Sequence, residues 1–143
     1  MRNKIKNEFL IGNLLKMLPN EIIADIIIYM NSWDIVQLCM SNPIFSKIIR
    51  YIKLPINLSN YRYKIIDKDI IALIGIHSIN LWDCNNITDD GVKTLAGVHT
   101  INLTGCNRIT NKGIKALAGV HTINLTGCDN ITDDGIKDLA GDK

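Results

Sequence analysis

The chain has 143 residues, of which 47% are hydrophobic and 21% are charged, and its formal net charge is +2. This length suffices for one or two small hydrophobic cores. So weak a charge, with few aromatic residues, gives no reason to expect nucleic acid or a membrane surface as a partner.

No secretory signal or membrane span is expected. The apolar stretch from Phe9 to Leu18 is interrupted by Asn13 and Lys16, and no small-residue cleavage site follows it. The apolar run over residues 22–30 is too short to cross a bilayer. We therefore expect a cytoplasmic or nuclear protein whose four cysteines are reduced.

Three or four short helices are predicted in the first third of the chain. A first amphipathic helix is indicated over residues 5–17, and Pro19 is well placed to start a second helix. Ser32 is a candidate N-cap for a third helix, and Pro43 can begin a fourth. We assign residues 5–53 to one helical module, and the remainder, residues 54–143, to a repeat region.

The repeat region shows a sequence period of 22 residues. His77, His99 and His121 mark the same position in three successive units, and each is followed by a similar run of letters. A fixed period of this size indicates a solenoid that is built from one repeated supersecondary unit. We predict regular coils over residues 76–97, 98–119 and 120–143. A degenerate first coil over residues 54–75 precedes them, with a helix from Asp67 to Ile74.

Each unit carries apolar letters at fixed positions, as in Val98-x-x-Ile101-x-Leu103-x-x-Cys106-x-x-Ile109. This pattern resembles the cysteine-containing leucine-rich repeat. The resemblance implies an α/β fold, in which a short right-handed solenoid of about four coils has parallel strands on its concave face and follows the helical module.

Polar side chains alternate with apolar ones along each predicted strand and should point outward. Trp82 is the natural anchor for a protein partner, because Trp is enriched among residues that dominate interface energies. The alternative is that Asn and Thr only solvate the sheet. The candidate target-binding residues are Ser78, Asn80, Trp82, Thr100, Asn102, Thr104, Thr122, Asn124 and Thr126.

Three groups of letters in residues 15–53 resemble the F-box family. They are Leu18-Pro19-x-Glu21-Ile22-x-x-x-Ile26, then Trp33-Asp34-Ile35-Val36-Gln37-Leu38-Cys39, then Phe45 with the pair Ile48-Ile49. The family combines this module with leucine-rich repeats, and the resemblance implies docking on the Skp-type adaptor of a cullin–RING ubiquitin ligase. The implied adaptor-binding residues are Leu18, Pro19, Glu21, Ile22, Ile26, Ile35 and Leu38.

Several recurring polar residues invite chemical interpretations, but a structural role is favoured for each. The cysteine of each repeat is expected to pack inward and accept weak hydrogen bonds, and the spacing of Cys and His lacks the paired arrangement of zinc sites. The pairs Asp89-Asp90 and Asp133-Asp134 are expected to cap the repeat helices. We therefore predict no catalytic residue, no metal and no cofactor.

The function that these observations favour is a non-catalytic substrate receptor of an SCF-type ligase, which holds a protein client on the concave face. One alternative is a decoy that occupies the Skp adaptor without recruiting a client. Another is a repeat scaffold unrelated to ubiquitin. After Leu139-Ala140-Gly141 only Asp142 and Lys143 remain, so no polar segment covers the last coil. We therefore expect either weak self-association through that end or a chain that is a fragment of a longer repeat array.

Overall fold

The computed structural model describes residues 17–140, so nearly all of the helix predicted over residues 5–17 lies outside the described part. Three helices come first: α1 (Asn20–Ile27), α2 (Ser32–Ser41) and α3 (Pro43–Ile52). Four coils follow, each with one strand and one short helix. These are β1 (Pro55–Asn57) with α4 (Asp67–Ile71), β2 (Ser78–Asn80) with α5 (Asp89–Lys93), β3 (Thr100–Asn102) with α6 (Asn111–Ile114), and β4 (Thr122–Asn124) with α7 (Asp133–Ala140).

The starts of α2 and α3 follow from side-chain capping. Asn42 caps α3 by accepting a hydrogen bond from the Ile44 amide at 3.0 Å, and Pro43 begins the helix as predicted. The expectation that Ser32 caps α2 is wrong, because Asn31 accepts the Asp34 amide instead, at 3.0 Å.

The repeat strands form one four-stranded parallel sheet in the order β1-β2-β3-β4. The isoleucines Ile56, Ile79, Ile101 and Ile123 occupy one register position across all four strands. The predicted α/β solenoid with parallel strands is therefore confirmed. Helix α4 ends at Ile71 rather than Ile74, because the amides that follow it bond three residues back, in single turns.

One continuous hydrophobic core runs from the helices through the coils. The helical module is attached to the first coil by two bonds from α3. The Ser46 hydroxyl donates to the Ala72 carbonyl at 2.8 Å, and the Arg50 guanidinium donates to the Ile74 carbonyl at 3.3 Å. Module and solenoid thus share buried side chains. Within residues 17–140, no helix is long and apolar enough to cross a membrane.

Candidate interaction surfaces

Helix α1 carries apolar side chains on two of its sides. Ile23 and Ile27 are buried in the core, whereas Leu18, Ile22 and Ile26 remain exposed by 38%, 46% and 37% respectively. Residues four apart lie on the same side of a helix, so Ile22 and Ile26 form a second apolar stripe that faces outward. We call Leu18, Pro19, Glu21, Ile22 and Ile26 the α1 surface. Pro19 and Glu21 are also exposed.

A groove of about 400 Å³ lies between α1 and α3, next to the α1 surface. Ala24 and Ile48 supply apolar walls, while Glu21 and Lys47 bring opposite charges to its lining. Apolar walls with a few charged groups are common in sites that receive a side chain from a partner. The groove therefore extends the surface that a docking protein could cover.

Ile35 and Leu38 do not belong to this surface, and their assignment to it was wrong. Both side chains are buried on α2. Helix α2 packs against both α3 and the first repeat helix, α4, so its apolar side faces the junction between module and solenoid. These two residues stabilise the fold rather than present area to a partner.

The predicted concave-face residues form aligned rows in the sheet. Ser78, Thr100 and Thr122 occupy one register position, and Asn80, Asn102 and Asn124 another. The Asn side chains, however, already bind within their own coils. Their Oδ1 atoms accept the amide two residues later at 3.0 Å, from Trp82, Thr104 and Thr126.

The hydroxyls beside these asparagines are also engaged. Thr104 donates to Asn102 at 2.6 Å, and Thr126 donates to Asn124 at 2.7 Å. A partner would have to compete with these local bonds for the same oxygen atoms. The Asn and Thr rows therefore stabilise the turn after each strand, and they offer less free hydrogen-bonding capacity than the sequence pattern indicates.

A cluster of aromatic and basic side chains lies beside Trp82, where the module meets the first coil. The Arg62 guanidinium lies 5.4 Å from the centre of the Trp82 ring and 4.6 Å from that of Tyr63. The Lys64 ammonium lies 3.6 Å above Trp33. Such cation–π contacts hold flat aromatic surface at a defined position. We call these five residues the junction cluster.

This cluster was not predicted, because Trp82 was considered alone as a candidate anchor. The signal that could have revealed it is the alternation Tyr61-Arg62-Tyr63-Lys64, which interleaves aromatic and basic residues. Trp33, 49 residues before Trp82, joins the cluster only through the fold; its ring centre lies 5.8 Å from that of Tyr61. Trp, Tyr and Arg are the residues that most often dominate protein interfaces.

The repeat cysteines are buried thiols that donate hydrogen bonds. Cys106 and Cys128 donate to the carbonyls of Leu81 and Leu103, each at 3.0 Å, in the preceding coil. The expected inward packing is therefore found, and the donation of these hydrogen bonds to the preceding coil was not predicted. Burial raises the pKa of Cys106 to about 12, and that of Cys84 to about 12. A thiol that stays protonated is a poor nucleophile and a poor metal ligand.

The repeat histidines stack in a column. The ring centres of His77 and His99 are 4.6 Å apart, and those of His99 and His121 are 4.4 Å apart. Desolvation lowers the pKa of His99, and the neighbouring His121, His77 and Lys53 lower it further. Across residues 17–140, no group of three or more His, Cys, Asp or Glu side chains is arranged to hold a metal ion.

The aspartates at the starts of the repeat helices join neighbouring coils. Asp67 accepts the Thr88 amide at 2.9 Å, and Asp89 accepts the Thr110 amide at 2.7 Å. Capping is done instead by threonine, as when Thr88 accepts the Asp90 amide at 3.3 Å. The pair Asp89-Asp90 was expected to cap its helix, but the side chain of Asp89 joins two coils instead, and Thr88 is the cap.

A comparison with protein-family models matches residues 77–96, 98–118 and 120–140 to the Leucine Rich repeat. These three segments fall on the second, third and fourth coils, so this part of the chain consists of leucine-rich repeats. No F-box domain is detected in the helices before them. No curated protein matches the chain.

Proposed function

We propose that this protein is a non-catalytic adaptor, which docks on a Skp-type subunit through the α1 surface and thereby joins a cullin–RING ubiquitin ligase. Leucine-rich repeats are typical of protein-interaction scaffolds, and a role in protein interaction rests on the matched repeats. The specific role as a Skp-binding adaptor rests on the F-box-like letters around Leu18 and Pro19, and on the exposure of that segment.

The observation that carries the proposal is the outward apolar stripe of α1. Leu18, Ile22 and Ile26 remain between 37% and 46% exposed, although the same helix buries Ile23 and Ile27 almost completely. Adjacent exposed isoleucines next to an apolar groove are characteristic of a surface that a partner covers. Glu21 and Lys47 supply charges that can set the orientation of that partner.

In this role the protein contributes proximity rather than chemistry. The helical module holds the ligase, and the repeat region holds a protein client so that other subunits can transfer ubiquitin to it. The junction cluster is the part of the repeat region best suited to the client. It combines flat aromatic rings with two cations, whereas the Asn and Thr rows are engaged in local hydrogen bonds.

One observation favours a decoy as the second candidate function. The outward residues of the third and fourth coils are identical, with Thr100, Asn102 and Thr104 matched by Thr122, Asn124 and Thr126. A surface that is adapted to one client usually presents different side chains in successive coils. In the decoy, the α1 surface occupies the Skp adaptor and the repeats recruit nothing.

Co-purification from eukaryotic cells tests the proposal. The wild-type chain is expected to retain a Skp-type adaptor, and the double variant Leu18→Ala with Pro19→Ala is expected to lose it. A receptor also enriches ubiquitinated clients, whereas a decoy enriches the adaptor alone. If neither the adaptor nor a cullin is retained, the proposal is wrong and a scaffold unrelated to ubiquitin is the better account.

A further inference from the structure

The turn after β2 differs from the matching turns of the next two coils. It holds Trp82 and Asp83, where the third and fourth coils have the pairs Thr104-Gly105 and Thr126-Gly127. The backbone of Asp83 is left-handed, with a φ of 58°, as are the backbones of the two glycines. A residue with a side chain adopts this conformation at a cost, and such positions cluster at functional sites. The turn after β2 thus carries a strain that the next two coils avoid.

Arg62 connects this turn to the first coil. Its Nε atom pairs with the Asp83 carboxylate at 3.3 Å, and its Nη1 atom donates to the Ser59 carbonyl at 3.4 Å. The same guanidinium lies against the rings of Trp82 and Tyr63. Arg62 is therefore held from several sides and fixes both rings in place, while Asp83 balances its charge.

Lys64 gives the junction cluster a positive charge that is not balanced. Its ammonium lies over Trp33, and no carboxylate within residues 17–140 forms a salt bridge with it. The two aspartates of the first coil, Asp67 and Asp69, accept backbone amides inside the fold instead. Lys64 is exposed, so its charge is available to an anionic group of a partner.

Two rings of the cluster are open to the same partner. The exposed fraction is 44% for Trp82 and 81% for Tyr63. Single-stranded nucleic acid also stacks on aromatic rings, but it needs a row of cations that follows its phosphates. No such row continues from the cluster, because the other outward positions of β2, β3 and β4 hold Ser, Asn and Thr. A short acidic peptide needs only one cation beside an apolar surface.

Building on the proposed function, which places the client at the junction cluster, we propose that the cluster binds a short acidic segment of that client. A carboxylate of the segment pairs with Lys64, and a neighbouring apolar side chain packs on Trp82 and Tyr63. The unbalanced cation favours an acidic segment over a basic one. Because Arg62 already fixes the rings, little side-chain freedom is lost when the segment binds.

Calorimetric titration of the full chain with a short capped peptide, in which glutamates flank a leucine, tests this proposal. The wild type should bind with a dissociation constant on the order of 100 µM. Raising the salt concentration from about 50 to about 500 mM should weaken binding at least about threefold. The same peptide with glutamine in place of glutamate should bind at least about fivefold more weakly. Trp33 and Trp82 are the only tryptophans of the chain, so binding should also change the tryptophan emission.

Two variants of the cluster and one control assign the contact. Trp82→Thr should fold, because the next two coils have threonine at this position, and it should lose detectable binding. Lys64→Gln should weaken binding at least about fivefold, since the carboxylate loses its partner. Lys112→Gln is the matched control. It removes the same charge from an exposed lysine on α6, two coils away, and should bind like the wild type.

Four results would overturn the proposal: no binding by the wild type at about 1 mM peptide, equal binding of the glutamate and glutamine peptides, equal effects of Lys64→Gln and Lys112→Gln, or tighter binding of a single-stranded thymidine oligonucleotide. All three variants leave the α1 surface unchanged, so none of these results bears on docking to the adaptor. Loss of the adaptor with peptide binding retained would count against the proposed function alone.

Discussion

The carboxylate of Asp89 binds Thr110 of the next coil twice, through the backbone amide at 2.7 Å and through the hydroxyl at 2.7 Å. Asp67 repeats this arrangement with Thr88, at 2.9 and 2.6 Å. Asn111 replaces the carboxylate in the third coil, where its side chain accepts the Thr132 amide and donates to the Thr132 hydroxyl. These pairs fix the spacing between successive coils.

Replacing Asp89 by alanine should lower the free energy of unfolding by about 2 kcal/mol, because two charge-assisted hydrogen bonds between coils are lost. Asp133→Ala is the matched control. Asp133 has the same position at the start of its helix, but no residue within 17–140 donates to its side chain. Urea unfolding of the two variants measures the difference. Equal losses would assign the effect to the helix dipole rather than to coil stacking.

Gly113→Ala should destabilise the protein, although alanine ordinarily favours a helix over glycine. A methyl group at Gly113 would overlap Asp89 Oδ1 and lie 3.1 Å from the Asp89 backbone. The neighbouring coil would have to move away. A double-mutant cycle with Asp89→Ala should therefore be non-additive, with less damage from Gly113→Ala once the carboxylate is gone. Strict additivity of the unfolding free energies would contradict this close-packing explanation.

The interior of the solenoid should protect its thiols from reagents. Burial raises the pKa of Cys39 to about 11 and those of Cys84 and Cys106 to about 12, so the thiolate is scarce at neutral pH. A colorimetric thiol reagent at pH 8 should react slowly with the folded protein and rapidly in denaturant. Rapid reaction of Cys84 or Cys106 in the folded chain, located by mass spectrometry, would contradict this view of the core.

The histidine column should make stability depend on pH. The folded state lowers the pKa of His99, so the unfolded chain binds its proton more readily. The free energy of unfolding should therefore not depend on the protonation of His99 at a pH above about 6.5, the ordinary pKa of histidine. It should fall as the pH drops below that value. The His99→Gln variant should lose less thermal stability than the wild type between pH 8 and pH 5. An identical loss in both proteins would show that other groups cause the acid sensitivity.

The 22-residue period was sufficient to predict the strands and their register, because apolar alternation and turn residues recur in each coil. It could not predict contacts between coils. Asp89 follows a threonine and begins a helix, so its local sequence indicates a cap, whereas stacking brings its carboxylate to Thr110. The same limit applies to Ile35 and Leu38, whose burial depends on where the first coil lies.

The surfaces were predictable to different degrees. The exposed stripe of Ile22 and Ile26 follows from a helix that has more isoleucines than one buried side can hold. The junction cluster does not follow from any single segment, because it joins Trp33 of α2 to Trp82 after β2 through the packing of α2 on the first coil. Local patterns thus predicted which side chains are apolar, and the fold determined which of them meet.

Calorimetric titration of the chain with a purified eukaryotic Skp-type adaptor measures whether the α1 surface is a docking site. The wild type should bind with a dissociation constant of about 1 µM or lower, and Ile22→Glu should weaken binding at least about tenfold. Ile74→Glu places the same charge at a position that is 47% exposed, outside the α1 surface, and should bind like the wild type. Absence of binding at about 100 µM adaptor, or equal binding by both variants, would contradict the assignment of the α1 surface as a docking site.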